Sequence, residues 1–169
     1  ACSTPQRPEP APAPTQARPA LMPVSKAGDA PTIQSGQPMS LEELFPLPEL
    51  TCLPSAKDRQ SVRARHIVME PVNWRAGQQP TLDDWHLASR KATQVLAALA
   101  GGPDFAQLEI GNSSAASARG LPGGDLGYFG RGVMVPQIER VAFCLPVNQL
   151  SPVVRSDFGF HIIQVTGSR

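Results

Sequence analysis

Residues 62–70, Val-Arg-Ala-Arg-His-Ile-Val-Met-Glu, read as a β-strand, with apolar and polar positions alternating from Val62 to Arg65 and an apolar run at Ile67-Val68-Met69. Ala64, His66 and Val68 then share one face, and Pro71 ends the run. The period changes at Thr81. Thr81 with Asp84 three residues on has the form of a capping box, and Trp85, Ala88, Ala92, Val95, Leu96 and Leu99 follow as the apolar stripe of a long helix. Gly101-Gly102 stop it. A short second helix starts at Pro103, with Phe105 and Leu108 on one side. The glycine-spaced stretch 123–132 holds a short strand, and Pro136 fits the first turn of a third helix that carries Ile138, Val141 and Ala142. Residues 152–156 and 158–166 read as two strands, a hairpin around Ser156-Asp157. Strand, helices, then strands describe an α+β unit with helices packed on a small, mostly antiparallel sheet.

Upstream of this unit the pattern disappears. Residues 3–40 are Pro-rich with no aromatic residue and no apolar period, so they bury too little surface to offset their ordering entropy and read as an extended tether. Residues 40–50 have the makings of one short helical turn, near 40–45, that docks on a neighbour, with a connector to Arg59. Composition marks the same division. Twelve of the 19 prolines lie in residues 1–60, whereas glycine rises from two there to twelve in the rest. The expected organisation is a tether over residues 1–60 and a folded domain over 61–169.

Charge adds exclusions. The net formal charge is +1, five basic against six acidic groups in residues 1–60 and ten against eight afterwards, so no basic surface points to nucleic acid. No apolar run is long enough for a membrane-spanning helix. Cys2, Cys52 and Cys144 are odd in number and form no CxxC, which argues against a zinc ribbon, a redox pair or a disulfide framework. Ala1-Cys2 followed by a Pro-rich stretch resembles the processed end of a bacterial lipoprotein, with lipid on Cys2 as a membrane tether.

Chemistry centres on histidine. His66 and His161 both fall mid-strand among apolar neighbours, His161 sharing its face with Ile163 and Val165. On neighbouring strands the two imidazoles are placed to hydrogen-bond to each other, one donating and one accepting. Each taken alone reads first as a satisfied core histidine. His86 falls on the outward side of the long helix, and no HxH, HExxH or CxxC pattern supplies a metal site. A Gly-x-Ser-x-Gly elbow is also missing, and the glycines of 123–132 lack the Lys-Ser/Thr of a phosphate cradle. No metal or cofactor is expected.

Five blocks carry a resemblance. Val62-Arg-Ala-Arg-His-Ile-Val, Asp104-Phe-Ala-Gln-Leu, Gly123-Gly-Asp-Leu-Gly-Tyr-Phe-Gly-Arg-Gly-Val-Met-Val, Val141-Ala-Phe and Ser156-Asp-Phe-Gly-Phe-His-Ile-Ile occur in the order found in parvulin-type peptidyl-prolyl cis/trans isomerases. The resemblance covers roughly residues 62–166. It implies a four-stranded antiparallel sheet surrounded by about four helices. It also implies that His66, His161 and Ser156 form the polar part of the site, and that Leu126, Met134, Ile138 and Phe158 receive a substrate proline, supported by Phe143. Phe160 corresponds to the residue that completes the last strand. Members of the family place Cys or Asp after the second helix. Here the count from Leu108 puts Ser114 or Ala115 in that place, within an altered segment 109–118. The stretch Glu70-Pro-Val-Asn-Trp-Arg offers one arginine, so a preference for phosphorylated sites is not expected.

The resemblance therefore implies a monomeric isomerase of the bacterial cell envelope. Its partners would be unfolded or partly folded proteins with X-Pro bonds. The alternative is a tethered chaperone or adaptor that holds extended polypeptides in the same groove with weak catalysis.

Overall fold

The computed structural model describes residues 40–72, 74, 78–102, 104–114 and 124–169. Cys2, the Pro-rich stretch to residue 39, Arg75, Ala115 and Gly123, all part of the expectations above, lie outside the described residues.

Four strands, β1 (Ser61–Met69), β2 (Asp125–Gly130), β3 (Val154–Ser156) and β4 (Gly159–Ser168), form one antiparallel sheet in the order β2-β1-β4-β3. Four α-helices surround it, as the family resemblance implies: α1 (Leu41–Leu44), α2 (Leu82–Ala100), α3 (Phe105–Asn112) and α4 (Pro136–Cys144). The alternation read in β1 has its physical counterpart in two separate cores. Val62, Ala64, Ile163 and Val165 pack against Ile138, Val141 and Phe143 on one face. Ile67, Met69, Phe160 and Ile162 pack on the other against Trp85, Ala88, Ala92, Val95, Leu99 and Phe105. Because helices cover both faces, β4 is buried without interruption from Gly159 to Val165.

Helix α2 starts where the sequence reading places it. Thr81 Oγ1 accepts from the Asp84 N–H at 3.3 Å while the Thr81 N–H donates to Asp84 Oδ2 at 2.8 Å, closing the capping box. The Thr81 hydroxyl also donates to Asp84 Oδ2 at 2.7 Å, and this bond together with that from the Thr81 N–H holds the Asp84 carboxyl below its usual range. Helix α3 is capped by Asp104 and runs to Asn112, four residues past Leu108. At the β3–β4 turn Gly159 adopts φ +138°, and a side chain there would overlap the Met69 carbonyl oxygen on β1.

Residues before β1 also belong to the packed structure. Ser40 and Glu43 form a capping box around α1, and Leu41 and Phe45 rest on the α2-side core. Phe45 meets Phe160 edge-on at 5.0 Å and His86 at 5.2 Å. His86, expected on the outward side of α2, is thus half-buried beneath this arm. A 3₁₀ turn follows at Pro54–Asp58. Arg59 then donates from Nη1 to the carbonyls of Leu145 (2.5 Å) and Phe143 (3.2 Å), at the end of α4.

The cysteine expectation is corrected. Cys52 and Cys144 form a disulfide across a sequence separation of 92. Parity and spacing carry no information about a pairing that only the docking of the arm on α4 creates. In the chain-entropy account a loop of that length contributes about 4 to 5 kcal/mol of stability. Reduction, or the Cys52→Ser/Cys144→Ser pair, is therefore expected to lower unfolding stability by about 2 to 5 kcal/mol in denaturant titrations.

Candidate functional site

Strands β1 and β4 place two histidines on the α4 side of the sheet. Their register pairs His66 with Ile163 and Val68 with His161, so the imidazoles sit diagonally across one strand pair. Their centroids are 5.7 Å apart and the planes lie 26° from parallel. The expected hydrogen bond between the imidazoles does not form, because a stacked pair turns its edges away from one another. Neither His66 Nδ1 nor His161 Nδ1 has a hydrogen-bond partner among the described residues.

Ser156, fully buried on β3, completes the cluster: its Oγ lies 2.6 Å from His161 Nε2. The Phe158 N–H donates to the same oxygen at 3.1 Å. One hydrogen bond joins the Ser156 hydroxyl to His161 Nε2, its direction set by the imidazole tautomer. Burial pushes His66 down to about 4. Burial, and secondarily the adjacent His66, push His161 down to about 3. Both rings are neutral at pH 7, and the site is a polar but uncharged patch in an apolar surround.

The apolar partners come from β2, the turn after it and α4. Half-buried Leu126 and Met134 rest on the same core as Ala64, Ile163 and Val165. Ile138 and Phe143 lie deeper, inside that core. Phe143 meets Phe129 edge-on at 6.2 Å and is covered by the Arg131 guanidinium, 4.2 Å from its centroid. Phe158, 49 % exposed, stands at the β3–β4 turn, where Trp74 packs edge-on against it at 6.3 Å.

Ser114 has a structural task. β2 pairs with β1 only as far as Arg65, and the segment after α3 takes over that edge. The Ser114 N–H donates to the Val68 carbonyl (2.7 Å), the Val68 N–H to Ser113 Oγ (3.2 Å) and the Glu70 N–H to Ser114 Oγ (3.1 Å). Gly124, at φ +67°, returns the chain so close to β1 that a Cβ would overlap the His66 carbonyl oxygen.

The fold thus brings His66, His161 and Ser156 together, sets Leu126 and Met134 over the same core, and keeps Phe158 on the rim. Trp74 and the anchoring groups Arg59, Arg131 and Ser113 were not predicted. Trp74 falls in a Pro-Val-Asn-Trp connector without periodicity, and the others act through main-chain contacts that leave no sequence pattern. Among the described residues no group of three or more His, Cys, Asp or Glu is arranged to hold a metal ion.

Comparison with known proteins identifies the family and the fold. A family profile described as PPIC-type PPIase domain matches residues 50–169. Foldase protein PrsA of Halalkalibacterium halodurans is 45% identical over 75 residues, 44% of this chain and 22% of that protein. Chaperone SurA of Dechloromonas aromatica is 34% identical over 111 residues, 65% of this chain and 23% of that protein. The solved structure of peptidylprolyl isomerase PrsA from Bacillus anthracis superimposes with a TM-score of 0.53 at 29% identity, over 68% of this chain and 45% of that one. The chain spans about a quarter of the length of these curated relatives.

The depressed histidine values fix a pH dependence. Below the ordinary value near 6.5 the unfolded chain binds protons that the native site refuses, so stability is full above about pH 6.5 and is lost as pH falls toward 3. Denaturant titrations between pH 7 and 3 are expected to show this loss, and a His66→Asn/His161→Asn variant to flatten it.

Proposed function

As a member of the PPIC-type peptidyl-prolyl isomerase domain family, this chain, we propose, catalyses cis/trans isomerisation of X-Pro bonds in unfolded or partly folded polypeptides. The observation that carries the reading is the neutral Ser156–His161–His66 cluster held against the Leu126 and Met134 wall. Rotation about an X-Pro bond faces a barrier of about 18 to 20 kcal/mol from amide resonance, and no bond breaks. The site needs to favour the twisted amide over both planar forms. Leu126 and Met134, over Ile138 and Phe143, hold the proline ring away from water, with Phe158 at the rim. Charge shifts on the carbonyl and the prolyl nitrogen as resonance is lost, and the fixed dipoles of the buried cluster meet that change without reorganising. Neutral imidazoles suit this task, since a charged one would bind either planar form as readily.

The names foldase and chaperone, borne by the relatives, support clients that are folding proteins and a workplace in the bacterial envelope. The Cys52–Cys144 disulfide supports the same setting, because such bonds persist in oxidising compartments. A second reading, a holding chaperone with weak catalysis, draws on Ser114: its hydroxyl accepts from the Glu70 main chain at the end of β1.

Proline-limited refolding assays separate the two. His66→Ala and Met134→Ala are each expected to lower kcat/KM about tenfold or more, by removing interactions made in the transition state. Unchanged catalysis in both would overturn the isomerase reading. Peptide binding without faster cis/trans exchange in NMR spectra of the parent protein would establish the chaperone.

A further inference from the structure

β3 is an edge strand, and its side chains alternate between the two sheet faces. Ser156 faces His161. Arg155, the residue before it, pairs in register with Phe160 and turns to the α2 side, 6.0 Å from the Trp85 ring centre. There it lines an open cavity of 440 Å³ with Leu41, Trp74, Leu82, Trp85 and Asp157.

Arg155 is 7 % exposed, yet its guanidinium makes no hydrogen bond to a described residue. Its one ion-pair partner among them is Glu42 on α1, at 3.8 Å and on a side chain that is 83 % exposed. A guanidinium offers five N–H donors in a planar fork, and here the fork faces the open cavity with that capacity unused by the described residues. The surroundings describe what fills it. Two indole rings suit an apolar stem, and the fork suits a planar carboxylate. One guanidinium with Asp157 in the same cavity favours a single negative charge over a dianionic phosphate.

We propose that this cavity binds the carboxylate of an acidic side chain on the client polypeptide, as a second contact beside the proline wall. The two sites adjoin through the hairpin: Trp74 lines the cavity and also packs against Phe158 on the rim, and Arg155 precedes Ser156. A client strand passing over the β3–β4 turn reaches both. Glu42 is the internal stand-in, held loosely enough to be displaced. The client itself rests on the isomerase-domain reading, whereas the carboxylate preference is a property of the cavity.

Both tryptophans of the chain, Trp74 and Trp85, line the cavity, so intrinsic fluorescence reports its occupancy directly. The probes are proline peptides carrying Glu at each of four positions on either side of the proline, with Gln and phosphoserine counterparts. At one position the Glu peptide is expected to bind about tenfold more tightly than its Gln twin. Arg155→Gln is expected to abolish that difference, Arg155→Lys to keep part of it, and Glu42→Gln to increase the affinity for the Glu peptide. Equal affinity at every position, a preference that survives Arg155→Gln, or tighter binding of phosphoserine than of Glu would overturn the proposal. If Arg155→Gln does not fold, Glu42→Gln decides, since unchanged affinity for the Glu peptide would also overturn it. Cis/trans exchange of the same peptides, read by NMR, is independent: discrimination without exchange defeats only the isomerase reading.

Discussion

The whole architecture depends on β4 being covered on both faces. From Gly159 to Val165 every residue is buried, so each apolar side chain needs a partner layer above or below and each backbone group a strand beside it. β1 and β3 supply the hydrogen bonds, α4 one layer, and α2 with α3 the other. His161 occupies the one position in that run where an imidazole replaces an aliphatic side chain. Its setting is therefore set by packing before any chemistry is considered. The His66–His161–Ser156 cluster is a polar inclusion in a core, fixed by the same contacts that fix the sheet.

That origin explains the character of the site. A buried imidazole is cheap to keep neutral and costly to charge, so the cluster offers oriented dipoles rather than mobile protons. Ser156 adds rigidity, because its oxygen is shared between the His161 ring and the Phe158 main chain. The two Nδ1 atoms without partners among the described residues are the local energetic debt of this arrangement. An uncharged, stiff, partly unsatisfied polar patch beside an apolar wall suits a reaction in which charge is redistributed and nothing is transferred.

Much of this was legible in the sequence, because it follows from periods. Alternation placed His66 with Ala64 and Val68, and the 3.6-residue stripe of α2 named five residues that are buried. The family blocks then connected His66 to His161 across 94 intervening positions, which no local pattern does. What escaped depends on long-range docking. The arm from Ser40 to Arg59 has no apolar period beyond its one expected helical turn, so its partners could not be read, yet Phe45 covers His86 and Cys52 reaches Cys144. Arg155 reads as a polar residue of an edge strand, and its burial comes from Trp85 and α1, far away in the chain. Ser114 stood at a position suggested by counting alone, and the open edge of β1 past Arg65 gave its hydroxyl a main-chain partner.

The first rung between β1 and β4 has an architectural consequence. Gln60 and Ser61 donate to the Arg169 carbonyl at 2.9 and 2.8 Å, and the Arg169 N–H returns a bond to the Ser61 carbonyl at 3.0 Å. Entry to and exit from the sheet therefore lie side by side, separated by a single strand spacing. Loosening either segment frees the other, so the start of β1 and the end of β4 are expected to open and close as one unit.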